Sequence, residues 1–222
     1  MIKKTNFEFS NTVIQEIGFL LTADDIVVLN NPTGDFFYDP WTIKDEYKDT
    51  VFQQLLSVLP NIGQARLIKL MSGDTYHAHA DIDDRYHMSI TGNYSYLIDL
   101  DNNIMHSVPV DGCWYLMDAG ILHVASNFGE LYRYQLVVRQ LLLHSTSNDL
   151  VQVTVKPKII HDKLRYYFDT TLSGWLNRAN KRGLMDNFKA TTTPMSCTML
   201  LDRSLIEELK NKTHHDFEVL TN

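Results

Sequence analysis

The stretch YHMSITGNYSYLIDLDNN, residues 86–103, holds two short runs, each closed by turn residues. Tyr86–Thr91 and Tyr94–Asp99 carry β-branched and aromatic side chains that suit a pleated strand. Gly92-Asn93 separates them and Asp101-Asn102-Asn103 follows, and Gly, Asn and Asp tolerate the backbone angles of a chain reversal. Upstream, Ala65–Met71 alternates apolar and polar residues, as a half-buried strand does. Downstream, Trp114–Met117 and Leu131–Leu143 are further strand candidates. Short strands at this spacing, with no helix between them, point to an antiparallel sandwich or barrel rather than a doubly wound sheet.

Helices are expected on both flanks. Residues 11–22 place Val13, Ile14, Ile17, Leu20 and Leu21 on one apolar face. Residues 30–41 read as a loop, and a second helix is expected over Thr42–Leu59, with Pro60 closing it. After about residue 150 the character changes. Val151–Val155 alternates like a strand, Ile159–Lys181 reads as a long helix, and a small helix is expected near Ser204–Lys212. The division is therefore 1–150 for a β core with N-terminal helices, and 151–222 for a mostly helical extension packed on it.

Composition narrows the function classes. The chain has 222 residues, 44% of them hydrophobic and 21% charged, which is the balance of a globular domain. No apolar run is long enough to cross a bilayer, and the opening MIKKTNFEFS has no apolar stretch after its lysines. A cytoplasmic location without membrane attachment is the expectation. The two cysteines, Cys113 and Cys197, are expected to be free thiols, as in a reducing compartment. The net charge of −7, with no dense basic run, disfavours nucleic acid as a partner.

The densest group of metal-competent side chains is the run His77-Ala78-His79-Ala80-Asp81-Ile82-Asp83-Asp84-Arg85-Tyr86-His87. On an extended chain, residues two apart share a face, so His79 and Asp81 can offer an imidazole and a carboxylate to one ion. His123, after the turn residues Asp118-Ala119-Gly120, is the natural third ligand. Two histidines and one carboxylate on one side of an ion leave positions open for co-substrate and O₂, the arrangement of non-haem Fe(II) oxygenases. His77 shares the parity of His79, so a His77/His79 pair is the competing ligand set. Arg133, ten residues past His123, can meet the far carboxylate of a dicarboxylate through its planar fork. Arg139 has the same parity and competes for that role. Arg85 is expected to pair with a nearby carboxylate or to contact substrate. Trp114 reads as a core aromatic, with a place beside the site as its alternative, and Asn127 either orients a ligand or caps a turn. Asp83 and Asp84 read as solvated turn residues.

From about Trp41 to Leu141 the chain resembles the aspartyl/asparaginyl β-hydroxylase family of Fe(II)/2-oxoglutarate oxygenases, which includes bacterial free-proline hydroxylases. The matching pieces are Ala65-Arg66-Leu67-Ile68, His79-x-Asp81, Arg85-Tyr86-His87, Trp114, His123-Val124-Ala125-Ser126-Asn127 and Arg133. The resemblance implies a double-stranded β-helix (a jelly-roll, cupin-like core) that binds Fe(II) through His79, Asp81 and His123. It implies 2-oxoglutarate held by Arg133 with help from His87, O₂ as the second co-substrate, and hydroxylation of an amino acid that is free, conjugated or within a peptide. The same segments approximate the two cupin motifs, which keeps open a cupin-type metal enzyme that does not use 2-oxoglutarate. A non-catalytic jelly-roll binding module is the third expectation. Oligomeric state is not readable from the residues.

Overall fold

The computed structural model describes all residues except 1, 19, 22–23, 32, 34–39, 142–143, 162, 193–194 and 214–215. The chain opens with β1 (Ile2–Glu8), α1 (Asn11–Gly18), β2 (Ile26–Val28) and α2 (Val51–Ser57). Seven strands follow: β3 (Ile62–Leu70), β4 (Asp84–Thr91), β5 (Ser95–Asp99), β6 (Ile104–Ser107), β7 (Cys113–Met117), β8 (His123–Asn127) and β9 (Arg133–Gln140). The last third adds β10 (Leu150–Pro157), α3 (Leu164–Tyr167), a π-helical turn (Phe168–Leu172) and α4 (Ser173–Lys181). It closes with β11 (Met185–Thr192), β12 (Met195–Asp202), α5 (Ile206–Thr213) and β13 (Phe217–Thr221).

Three antiparallel sheets make the fold mainly β, in keeping with a β-sandwich. The largest sheet has the order β1-β7-β4-β9-β3-β2, and the smallest has the order β6-β5-β8. Residues 75–79 lie beside β8 through the bridges Thr75↔Ser126 and His79↔His123. From β3 to β9 the chain thus passes back and forth between the two sheets rather than filling one before the other.

The period of two along each strand divides the large sheet into an apolar face and a polar one. Tyr86, Met88 and Ile90 of β4, with Leu136 and Val138 of β9, pack under Ile17 of α1 and Phe52 and Leu55 of α2. Burying each such side chain contributes about 1.5–3 kcal/mol, so this layer anchors the core. The intervening residues Arg85, His87, Arg133 and Gln135 point the other way, toward the small sheet, and are nevertheless buried. Polar groups placed there need partners or ligands. Gly92, in the turn after β4, has φ +104° and lies so close to Arg133 that an added Cβ would sit 3.1 Å from the Arg133 Cα. A side chain there would strain the turn and push on Arg133.

The expected strands of the core are all present, and β1, β2, β6 and β8 are added to them. The first helix is seen to Gly18; positions 19 and 22 lie outside the described residues, as do most of the expected 30–41 loop and the end of the 131–143 strand. The second helix is shorter than expected. Asp49 has φ 59°, a left-handed conformation that stops helix propagation before Val51, and only a 3₁₀ turn (Asp45–Tyr47) precedes it. The extension after residue 150 is not mostly helical. Its helices pack on a four-stranded sheet of order β11-β12-β10-β13, with Val153, Val155, Met199 and Leu201 meeting Leu172 and Trp175 in one cluster. Cys113 and Cys197 are buried free thiols. Among the described residues no helix is long and apolar enough to cross a membrane.

Candidate metal centre

His79 and His123 are directly opposite each other in an antiparallel pair. His79 N–H donates to the His123 carbonyl at 3.0 Å and His123 N–H returns the bond at 2.9 Å. Opposed residues in such a pair project side chains to the same face, and the two rings lie with centroids 4.4 Å apart. Asp81, two residues past His79, comes to the same side. Its Oδ2 is 4.0 Å from His79 Nε2 and 3.9 Å from His123 Nε2, and the three ligand atoms lie within 4.8 Å of one another. Two donors that share an ion at about 2.1 Å can be no more than about 4.2 Å apart, so both measured pairs admit one ion.

Each ligand is aimed by a second contact. His79 Nδ1 is 2.9 Å from the His77 carbonyl, and His123 Nδ1 is 2.8 Å from the Ile121 carbonyl. A carbonyl only accepts, so Nδ1 carries a hydrogen in both rings and Nε2 is the nitrogen turned toward a metal. Arg85 Nη2 donates to Asp81 Oδ1 at 2.7 Å, which leaves Oδ2 facing the imidazoles. Burial alone would raise the Asp81 pKa, but Arg85, then His79, His123 and Arg66, outweigh it and hold the carboxyl at about 2. Burial drives His123 down to about 4, against the opposing pull of Asp81. Both groups therefore reach neutral pH in the protonation state that metal ligation requires.

The triad stands between two cavities. The inner one, of about 90 Å³, lies between the large and small sheets and is lined by Arg66, Arg85, His87, Arg133, Leu97 and Ala125 among others. Arg133 is 2% exposed, and burial lowers its pKa only to about 10, so it stays a cation. Its Nη2 donates to Gln135 Oε1, its Nε has no partner, and no carboxylate pairs with it among the described residues. His87 Nδ1 meets the same Gln135 oxygen at 3.2 Å, while its buried Nε2 has no partner among the described residues. A buried cation beside two unpaired polar atoms fits an anionic ligand. The outer cavity, of about 260 Å³, lies between the triad and the C-terminal unit, where Tyr76, Arg165, Phe168, Asp169 and Thr191 form part of its wall.

Several sequence expectations are resolved here. Arg139 does not compete with Arg133, because both its Nε and Nη2 donate to Asp83 Oδ2. Asp83 and Asp84 are not solvated turn residues: both are buried, and Asp84 pairs with Lys181 at 2.8 Å. Arg85 takes the carboxylate-pairing role. Trp114 has no place beside the site; it is fully buried on the helix-covered face, edge-on to Tyr86. Asn127 caps a turn, donating to the carbonyls of Leu70, Met71 and Leu131 and accepting from Gly129 N–H, so its ligand-orienting alternative is overturned. His77 stays outside the triad; its side chain is 63% exposed and faces Asp169. Gln135 and Arg66 were not anticipated. Strand parity with Arg133, and the Ala65–Met71 alternation, were the signals that held them.

The buried imidazoles make stability pH-dependent. His87 is pushed down to about 3, by burial first and then by Arg133, and His123 to about 4. The ordinary value is about 6.5, so below that pH the unfolded chain binds protons that the folded one refuses. Stability is therefore complete above about 6.5 and is lost as the pH falls toward the folded values. Two such groups give an expected loss of about 2–3 kcal/mol between pH 7.5 and 5.5, read by urea unfolding of the metal-free protein. A flat stability over that interval would show that these rings are not held neutral.

No family model matches the chain, and no curated protein matches it significantly.

Proposed function

We propose that this protein is a Fe(II)/2-oxoglutarate-dependent dioxygenase that hydroxylates an amino acid, free, conjugated or within a peptide. The interleaved order of strands in the large and small sheets supports a double-stranded β-helix as the core. The donor set of two imidazoles and one carboxylate suits Fe(II) and leaves positions for a bidentate co-substrate and O₂.

The observation that carries the reading is Arg133, a buried cation without an acidic partner among the described residues, in the cavity that also opens on the triad. A dicarboxylate that reaches the triad with one end and Arg133 with the other would supply the missing counter-charge. With Fe(II) and 2-oxoglutarate bound, the centre would couple oxidative decarboxylation of 2-oxoglutarate by O₂, to succinate and CO₂, with insertion of one oxygen atom into a substrate C–H bond. The residues of this chain do the rest. The His77 and Ile121 carbonyls hold the two imidazoles in one tautomer. Arg85 holds Asp81, and Ile68, Leu97 and Val137 keep the inner cavity largely apolar around its few charges. The outer cavity is the substrate side.

The test is an anaerobic titration of 2-oxoglutarate into Fe(II)-loaded protein, watched for a weak visible metal-to-ligand charge-transfer band. The band is expected, and turnover of a panel of free amino acids and peptides, read as a gain of one oxygen in mass, then finds the substrate. Metal binding without the band would favour a cupin-type metal enzyme that ignores 2-oxoglutarate. Absence of both would leave a non-catalytic binding module.

A further inference from the structure

Asp81 is held in place by its neighbours rather than by a strand of its own. It follows the last bridge of the 75–79 segment and precedes β4. Its amide donates to the Ala119 carbonyl at 2.7 Å, and the Ala80 amide donates to the Asp169 carbonyl at 2.6 Å. Ala119 belongs to the turn before His123, whereas Asp169 belongs to the π turn of the C-terminal unit.

The π turn is what frees that carbonyl. In a regular α-helix Asp169 would accept from the Ser173 amide, four residues on. Here Ser173 N–H donates to Phe168, five residues back, and the Asp169 carbonyl meets Ala80 instead. On the other side of Asp81, Ile82 is buried in the same apolar cluster as Phe168, Leu172 and Trp175. The helix also closes tightly on the 119–120 turn. A Cβ on Gly174 would lie 2.6 Å from the Gly120 carbonyl oxygen, and one on Gly120 would lie 2.3 Å from Asn177 Oδ1. At the far end Lys181 reaches Asp84 at 2.8 Å and Asp118 at 2.6 Å.

We infer that the helical segment 164–181 is a positioning element of the metal centre, its π turn fixing the backbone that presents Asp81 and its Gly174 face clamping the turn that leads to His123. This rests on the triad being a metal site. It adds that the site is completed by a unit outside the β-sandwich, one that supplies no ligand.

Co(II) is the probe, titrated into the full-length protein and followed by its visible ligand-field absorption. Wild-type protein that binds no Co(II) would defeat the metal-site reading itself, which separates that failure from failure of this inference. Gly174→Ala favours the helix locally but cannot seat against Gly120. It is expected to keep its circular dichroism while binding Co(II) at least tenfold more weakly, with an altered absorption envelope. Leu56→Ala, on α2, opens a cavity in the separate cluster under the N-terminal helices, which shares no residue with this seam. It should lower the melting temperature and leave the Co(II) spectrum unchanged. A folded Gly174→Ala with wild-type affinity and spectrum would overturn the inference, as would Leu56→Ala showing the same change. If Gly174→Ala does not fold, Lys181→Gln decides by the same two readouts, because it loosens the seam from the surface.

Discussion

Stoichiometric Co(II) or Fe(II) binding is expected to disappear in His123→Ala, with affinity falling by more than about 100-fold. The basis is the division of labour at the triad. His123 is 4% exposed, its Nδ1–H is committed to the Ile121 carbonyl, and its Nε2 has the Asp81 carboxylate as its neighbour. Removing it leaves one imidazole and one carboxylate, too few donors to hold a divalent ion against water. Changes that only disturb the orientation of a ligand typically cost about 10–100-fold, so loss of a ligand must exceed that. The backbone pairing of His79 with His123 does not depend on the ring, so the fold should survive. His77→Ala is the informative contrast. Its ring centroid is 5.2 Å from that of His79, close enough to have competed on sequence parity, yet it faces Asp169 and solvent. Isothermal titration should find His77→Ala within twofold of wild type. The opposite pattern, binding lost with His77 and kept without His123, would move the metal to another ligand set.

The contrast also shows where sequence reading reaches its limit. His79-x-Asp81 was legible because two-residue periodicity is local, and β4, β5, β7 and β9 were legible because their turns carry Gly, Asn and Asp. The strands that were missed have little of their own to announce them. β1 is half polar and becomes a strand by pairing with β7, and β8 (HVASN) is short and largely small or polar. β11 and β13 form because β12 and β10 offer them edges. Periodicity could not separate Arg133 from Arg139, since both face inward from β9. What separates them is Asp83, which reaches Arg139 across β4 and β9. The same holds for Asp83 and Asp84, whose burial depends on Arg139 and Lys181 arriving from distant parts of the chain. The role of the helix at 164–181 was hidden for a further reason. Its apolar stripe predicts a buried face, but a π turn is a hydrogen-bonding choice that composition does not encode.

Arg133→Met should separate the co-substrate from the metal. Metal affinity is expected to stay near wild type, because Arg133 touches Gln135 and none of the three ligands. Binding of 2-oxoglutarate should weaken by about 2–5 kcal/mol, the cost of removing one partner of a buried charge pair, which is between about 30-fold and a few thousand-fold. Without ligand, the sign of the stability change is informative. The wild-type protein buries this guanidinium with its Nε unpaired and no acidic partner among the described residues, whereas methionine fills similar volume without a charge to desolvate. The metal-free variant should therefore melt no lower than wild type. Arg139→Met should do the reverse: it takes both short bonds from the buried Asp83 carboxylate, leaving it Arg85 at 3.6 Å, costs up to about 3–5 kcal/mol of stability, and leaves any 2-oxoglutarate response of the surviving folded protein intact. Two arginines of one strand, alike in sequence and burial, would then report opposite halves of the design, one kept for a ligand and one for the fold. If Arg133→Met instead unfolds the protein while 2-oxoglutarate still binds tightly to what remains, the guanidinium is structural. The dicarboxylate reading would then lose its main support.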